Sequence, residues 1–262
     1  MQFFIILIIS GFFAGLLGGM LGIGGGIVLM PILRFFIGLS PAFASGTCII
    51  TVFFTTLGGA FRHYKLGHVK LSPLLPVIVA GVVSSIIFSL FFPYLAKRPI
   101  WLDLGTGILF SVISLRMIIE GLLDRQNKKN EEVNEIEISS RILTKTGIGI
   151  LAGAMPGLLG IGSGAILVPA FIFLLKFPIK LAIGSSLTCF CVNSFLSSSF
   201  KLFQGYAVIK TALPLCLGAL IGSNMGAILN RHFASSLLKI IFGIAFLCIS
   251  FKYIWMFSGV KL

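Results

Sequence analysis

Four glycines within five residues, Gly22, Gly24, Gly25 and Gly26 of "GMLGIGGGIVLMP", stand inside an apolar stretch, and Gly160, Gly162, Ser163 and Gly164 of "PGLLGIGSGAILVP" stand inside another. Each glycine costs about 1 kcal/mol against alanine in a helix interior, so several together interrupt a helix. The part that resumes after the interruption begins with unpaired N–H groups and a positive dipole end, and such an end attracts anions. The chemistry on offer is therefore non-covalent anion binding by backbone donors, to which Ser163 adds a hydroxyl.

Ser45 and Thr47 in "ASGTC", and Ser185 and Ser186 in "AIGSSLTC", open the apolar segment that follows each glycine run. They offer further donors near a helix start, although Ser and Thr in membrane helices also commonly bond their own i−4 carbonyl. Asn193 and Asn224 are costly to expose to lipid and should face the interior of a helix bundle. His63, His68 and His232 lie at segment ends beside basic residues, where a histidine is ordinarily solvated and a pH-sensing role is the less common use. The sequence contains no nucleophile and base pair, phosphate loop or metal spacing, and calls for no cofactor. "GIGGG" lacks the soluble strand–turn–helix context of a dinucleotide fingerprint. The five cysteines lie in apolar segments without paired spacing and read as small buried hydrophobes.

The elements that position these residues follow from composition. With 57% hydrophobic and 10% charged residues and a mean hydropathy of +1.11, the chain has too little polar surface for a water-soluble globule. It reads as an all-α polytopic membrane protein. Apolar stretches fall at about 3–36, 42–61, 71–95, 100–123, 142–177, 182–203, 208–230 and 235–257, eight segments long enough for roughly 30 Å of hydrocarbon. The opening "MQFFIILIIS" has no basic n-region and reads as the start of the first segment, not as a cleaved signal.

A shift of 138 positions superposes Ala14–Pro31 on Ala152–Pro169 with ten identities in 18 positions, and pairs Gly67 with Gly205 and Pro76 with Pro214. Gapless agreement of Gly and Pro at several places is a repeat, not a composition effect. The chain is two homologous four-segment halves, 1–123 and 142–262, joined by a charged linker, 124–141.

Residues 3–36 as one straight helix would measure about 51 Å, too long for one crossing without large tilt. Something must bend, and broken backbone at membrane depth is tolerated where it is buried in protein or lines a cavity. Matching interruptions in two halves point to a transporter's binding site. The spacing of Gly11, Gly15, Gly18 and Gly22 instead suits close helix packing. If each glycine run makes a re-entrant hairpin, each half crosses three times and the halves are inverted; if it crosses fully, they are parallel. Inversion is favoured because it explains both the breaks and a site at the repeat interface. Under the positive-inside rule loops 62–70 and 124–141 are cytoplasmic in either case.

All seven acidic residues fall between 103 and 137, while sixteen of the twenty Lys and Arg lie outside that window. Cation transporters and proton pumps usually keep a carboxylate at membrane depth, so this chain is better suited to a small anionic solute. Much of the net charge of +13 is nonetheless loop charge that fixes topology. The basic residues form no continuous stripe for nucleic acid.

The doubled glycine motif, with Pro31 and Pro169 closing its copies and a charged loop between the halves, resembles the TauE/SafE family of bacterial membrane proteins, the sulfite exporters. The resemblance covers essentially the whole chain. It implies an eight-segment secondary transporter of the inner membrane that exports sulfite or a small organosulfonate, with Gly22, Gly24, Gly25, Gly26, Gly160, Gly162, Ser163 and Gly164 at its site. Ser163 departs from a fully glycine second copy. A passive anion channel on the same scaffold, or a non-transport membrane scaffold, are the alternatives.

Overall fold

The computed structural model describes residues 2–126, 142–229 and 235–257. The linker from 127 on and His232 lie outside the described residues.

Among the described residues ten α-helices follow one another, and they map onto the eight apolar segments once the two glycine-interrupted ones are split. The first segment is α1 (Gln2–Leu21) and α2 (Gly26–Pro31), and the fifth is α6 (Ile142–Leu158) and α7 (Gly164–Pro169). Between them come α3 (Pro41–Lys65), α4 (Leu75–Ala96) and α5 (Pro99–Gln126), and after them α8 (Ile179–Phe203), α9 (Ile209–Leu229) and α10 (Ser235–Phe257). Six described helices are long and apolar enough to cross a membrane. Pro31 and Pro169 each lack an N–H, and after each the helix widens into a π turn, Ile32–Phe36 and Ala170–Leu174. Gly67 and Gly205, paired by the repeat, end α3 and α8 in the left-handed conformation, with φ 73° and 78°.

Glycine spacing decides the packing. A Cβ on Gly11, Gly15 or Gly19 of α1 would strike the backbone of Leu215, Ala219 or Ser223 of α9 respectively, so these helices touch backbone to backbone and run in the same direction. Gly18 instead faces Gly24 and Gly25, and Gly22 has left the helix. The packing stripe is thus Gly11, Gly15 and Gly19, not the set ending in Gly18 and Gly22. In the second half Gly149, Gly153 and Gly157 of α6 meet, in turn, Val77, Gly81 and Ser85 of α4.

α3 and α8 cross at the centre: 78% and 61% of their apolar windows are buried, against 39% for α1 and 33% for α4. They run antiparallel, with Thr56 Oγ1 3.2 Å from its repeat partner Ser194 Oγ and Ser45 at the start of α3 beside Lys201 at the end of α8. α9 runs parallel to α3, because Val208 N–H donates to Thr47 Oγ1 at 3.0 Å while Gly58 packs on Leu220 and Ser223. α4 runs parallel to α8, with Gly81 on Asn193 and Ser85 Oγ 2.8 Å from Ser197 Oγ. α5 and α10 pair antiparallel outside them, Gly107 on Tyr253 and Gly243 on Ser114 and Ile118. Large apolar side chains such as Phe3, Ile6, Val79, Leu90, Ile108 and Leu217 remain exposed around the bundle, as a lipid-facing perimeter requires. Cys48, Cys189 and Cys216 are buried as expected, Cys191 is half-buried, and Cys248 is exposed.

Charge pins the interrupted segments to α5. Arg34, in the turn after α2, donates from Nε to Asp103 Oδ1 at 3.1 Å, from Nη2 to Oδ2 at 2.9 Å and from Nη1 to the Leu39 carbonyl at 3.2 Å. Arg116 of α5 donates to the Ala165 carbonyl in α7 at 2.6 Å and pairs with Glu120. Removing one member of a largely enclosed pair strands the other charge, so Asp103→Asn should cost about 3 kcal/mol of stability. The double variant Arg34→Met/Asp103→Leu should recover most of the lost melting temperature in detergent; a double variant as unstable as the single would refute the pinning.

Candidate functional site

The two interruptions are built differently. In the first, Gly22, Gly24 and Gly25 all take positive φ, 74°, 76° and 73°, and Gly24 N–H reaches back to the Gly18 carbonyl at 3.4 Å. Gly25 caps α2 in the left-handed conformation, which excludes most side chains there. In the second, Gly160 repeats the positive φ of Gly22 at 68°, but Ser163, the counterpart of Gly25, is right-handed at φ −80°, ψ −8°. A serine stands where the backbone no longer needs a glycine.

The interruptions touch each other. A Cβ on Gly26 would lie 2.8 Å from Gly162 N, one on Gly164 would strike the Gly22 carbonyl and lie 2.8 Å from Ile23 Cα, and one on Gly162 would strike the Ile23 carbonyl. Phe190 of α8 covers both, 2.8 Å from the Cβ positions of Gly24 (Cδ1) and of Gly162 (Cε1). Gly22, Gly24, Gly26, Gly162 and Gly164 thus form one cluster of bare backbone. Gly25 does not face it: its Cβ position is 2.6 Å from the Ala14 carbonyl, on a small apolar crevice lined also by Leu17, Leu21, Phe242 and Phe246. Gly160 faces the carbonyl and hydroxyl of Ser45.

The hydroxyls divide likewise. Ser186 Oγ donates to the Gly22 carbonyl at 3.1 Å and to Ile183 O at 2.8 Å, tying α8 to the first interruption. Ser45 Oγ accepts from Lys201 Nζ at 2.6 Å. Thr47 is taken up by the start of α9. Thr51, Thr55 and Thr188 bond i−4 carbonyls, the ordinary role of such residues. Ser163 Oγ and Ser185 Oγ are fully buried and have no hydrogen-bond partner. Asn193 is fully buried too, with neither end of its amide bonded, while Asn224 is half-buried.

Two buried basic side chains were not legible as site residues. Lys201 in the last turn of α8 has no exposure, and His63 near the end of α3 has none either, against the expectation of a solvated histidine. His63 Nε2 lies 3.3 Å from the Gly19 carbonyl and its Nδ1 3.2 Å from Nδ1 of His68. A carbonyl can only accept, so Nε2 carries the hydrogen, and in the neutral ring Nδ1 accepts from His68. His63 and Lys201 are 138 positions apart, and that offset was the available signal. Among the described residues no group of three or more His, Cys, Asp or Glu could hold a metal.

The profile of the sulfite exporter TauE/SafE family matches residues 7–253. A "Probable membrane transporter protein" of Bacillus subtilis, YunE, is 27% identical over 96% of this chain and 97% of its own length. One of Methanocaldococcus jannaschii is 27% identical over 90% of this chain and 89% of its own. One of Xylella fastidiosa is 28% identical over 97% and 96%. No solved structure matches the chain.

The unequal interruptions yield a test. Gly25→Ala forces a side chain into a left-handed backbone against the Ala14 carbonyl and should cost about 1–3 kcal/mol, read as a lower melting temperature in detergent. Ser163→Ala and Ser163→Gly should leave it within a degree or two. Equal losses at both positions would contradict the difference in backbone.

Proposed function

We propose that the chain, which belongs to the sulfite exporter TauE/SafE family and whose relatives above carry the name "Probable membrane transporter protein", is a secondary transporter exporting a small sulfur-containing anion, sulfite or an organosulfonate, across a bacterial inner membrane. The observation that carries the site is Ser163. Its hydroxyl is buried without a partner, between Gly162 and Gly164, whose backbones abut the first interruption. A buried hydroxyl left unbonded carries a desolvation cost, which an arriving oxyanion relieves by accepting from it. Ser185, equally orphaned, is a second donor. Gly22, Gly24, Gly26, Gly160, Gly162 and Gly164 keep side chains out of the way, and Ser45 and Ser186 border the site. Gly25 and Thr47 support it from outside.

In this reading the halves are inverted and rock against one another. Support comes from the helix directions: α1, α3 and α9 run together, α4, α6 and α8 run together, and α3 opposes α8. Two consecutive long helices such as α1 and α3 run the same way when the chain between them returns, as the contacts of Gly25 with Ala14 and of Gly18 with Gly24 indicate. Loops 62–70 and 124–141 then share the cytoplasmic side, and both termini lie opposite.

A ligand that binds the folded state alone raises the melting temperature with concentration, by about 2.7 kcal/mol of stabilisation at a hundred times Kd. Purified protein titrated with sulfite, thiosulfate, sulfate, sulfoacetate, taurine, phosphate and chloride should show a selective shift from a sulfur anion. Ser163→Ala should weaken that affinity about tenfold, as loss of a hydrogen bond to a charged group does. An absence of any selective shift, or an unchanged affinity in the variant, would refute the substrate class or the site respectively.

A further inference from the structure

Lys201 is the one Lys or Arg with no exposure among the described residues. Its Nζ donates to Ser45 Oγ at 2.6 Å and to the Pro156 carbonyl at 3.3 Å, and stands 4.0 Å over the ring of Phe92. Every one of these partners is neutral. The carboxylates whose side chains are described, Asp103 and Glu120, are engaged by Arg34 and Arg116, so among the described side chains the ammonium form of Lys201 meets no countercharge. A positive group enclosed in a membrane bundle without one is expensive to keep, and such groups mark solute pathways.

Its position connects it with the interruptions. Ser45, which accepts from Nζ, is the residue whose carbonyl and hydroxyl lie against Gly160. Pro156, the other acceptor, is in the last turn of α6 before the second interruption. The amine is therefore one hydroxyl away from Gly160, and it closes onto the same segment that carries Ser163.

We propose that Lys201 is the charge that receives the transported anion, and that the carried species is a monovalent oxyanion such as hydrogensulfite or a simple sulfonate. This rests on the anion-transport reading and deepens it. One amine balances one negative charge: the loaded site is then electrically neutral and can change conformation inside a low-dielectric bundle without an uncompensated charge. A dianion such as sulfate would leave one charge unmatched. The two commitments of Nζ use two of its three donors, which leaves one for an oxyanion oxygen. Ser45 Oγ, an acceptor from the amine, still has its own hydrogen to donate.

The test uses purified full-length protein in detergent, with methanesulfonate, hydrogensulfite at pH 6 and sulfate as probes and ligand-induced thermal shift as the readout. Lys201→Gln retains an N–H donor for Ser45 and Pro156 but removes the charge. It should weaken methanesulfonate and hydrogensulfite binding at least about 30-fold, the loss expected when a buried charge pair loses a partner. Lys201→Arg should stay within about tenfold of wild type, and wild type should prefer methanesulfonate to sulfate. If Lys201→Gln proves too unstable to purify, the Lys201→Arg affinity and the wild-type monoanion preference decide alone. Wild-type affinity in Lys201→Gln, or equal affinity for sulfate and methanesulfonate in wild type, would overturn the role of Lys201 and leave the anion site standing. A wild-type protein that binds none of the three would sink both.

Discussion

Backbone that is not paired within a helix cannot face lipid, where no water replaces the lost hydrogen bonds. The chain carries two such stretches, residues 22–25 and 159–163, and most of its architecture follows from enclosing them. The cheapest enclosure is mutual: Gly26 lies on Gly162, and Gly164 on Gly22 and Ile23. α3 and α8 wrap the contact and are accordingly among the most buried of the spanning helices. The helices that carry the breaks are then fixed from outside by a helix of the other half, α1 by α9 and α6 by α4, through glycines that let backbones meet. α5 adds the charged fastening at Arg34 and Ala165.

Mutual enclosure also explains why the halves cannot be treated as separate domains. Each broken segment packs on the third long helix of the opposite half, and repeat partners such as Thr56 and Ser194 meet across the centre. A half alone would expose both its interruption and its glycine stripe. The core is shared, and the linker joins two parts of one body.

Much of this was legible in residues 14–31 and 152–169, because glycine and proline act on the backbone directly and a backbone effect survives without knowledge of neighbours. The interruptions belong to that class, whereas the π turns after Pro31 and Pro169 and the left-handed helix ends at Gly67 and Gly205, residues the sequence offered only as repeat matches, emerged with the structure. Side-chain facing is not of that class. Gly25 and Gly24 are adjacent and chemically identical, yet one faces α1 and the other Phe190. Lys201 sits two residues from a helix end, where a lysine ordinarily extends to the interface. It is turned inward by Ser45, Pro156 and Phe92, which lie 156, 45 and 109 positions away in the chain, and no local pattern encodes such an encounter.

The scaffold is nearly symmetric, but the residues that touch its centre are not. Val52 packs on Gly26 while its counterpart Phe190 packs on Gly24 and Gly162, Gly25 is left-handed where Ser163 is right-handed, and the imidazole of His63 answers the amine of Lys201. The two halves follow one plan of helices, and they differ at its centre through such substitutions and the backbone each one permits. His63 binds the Gly19 carbonyl at the end of α1, and Lys201 the Pro156 carbonyl at the end of α6. Each closes the turn that precedes an interruption, one with a ring whose other nitrogen meets a second histidine and one with an amine enclosed by neutral partners. The repeat thus sets where each closure forms and leaves its chemistry free to differ between the halves.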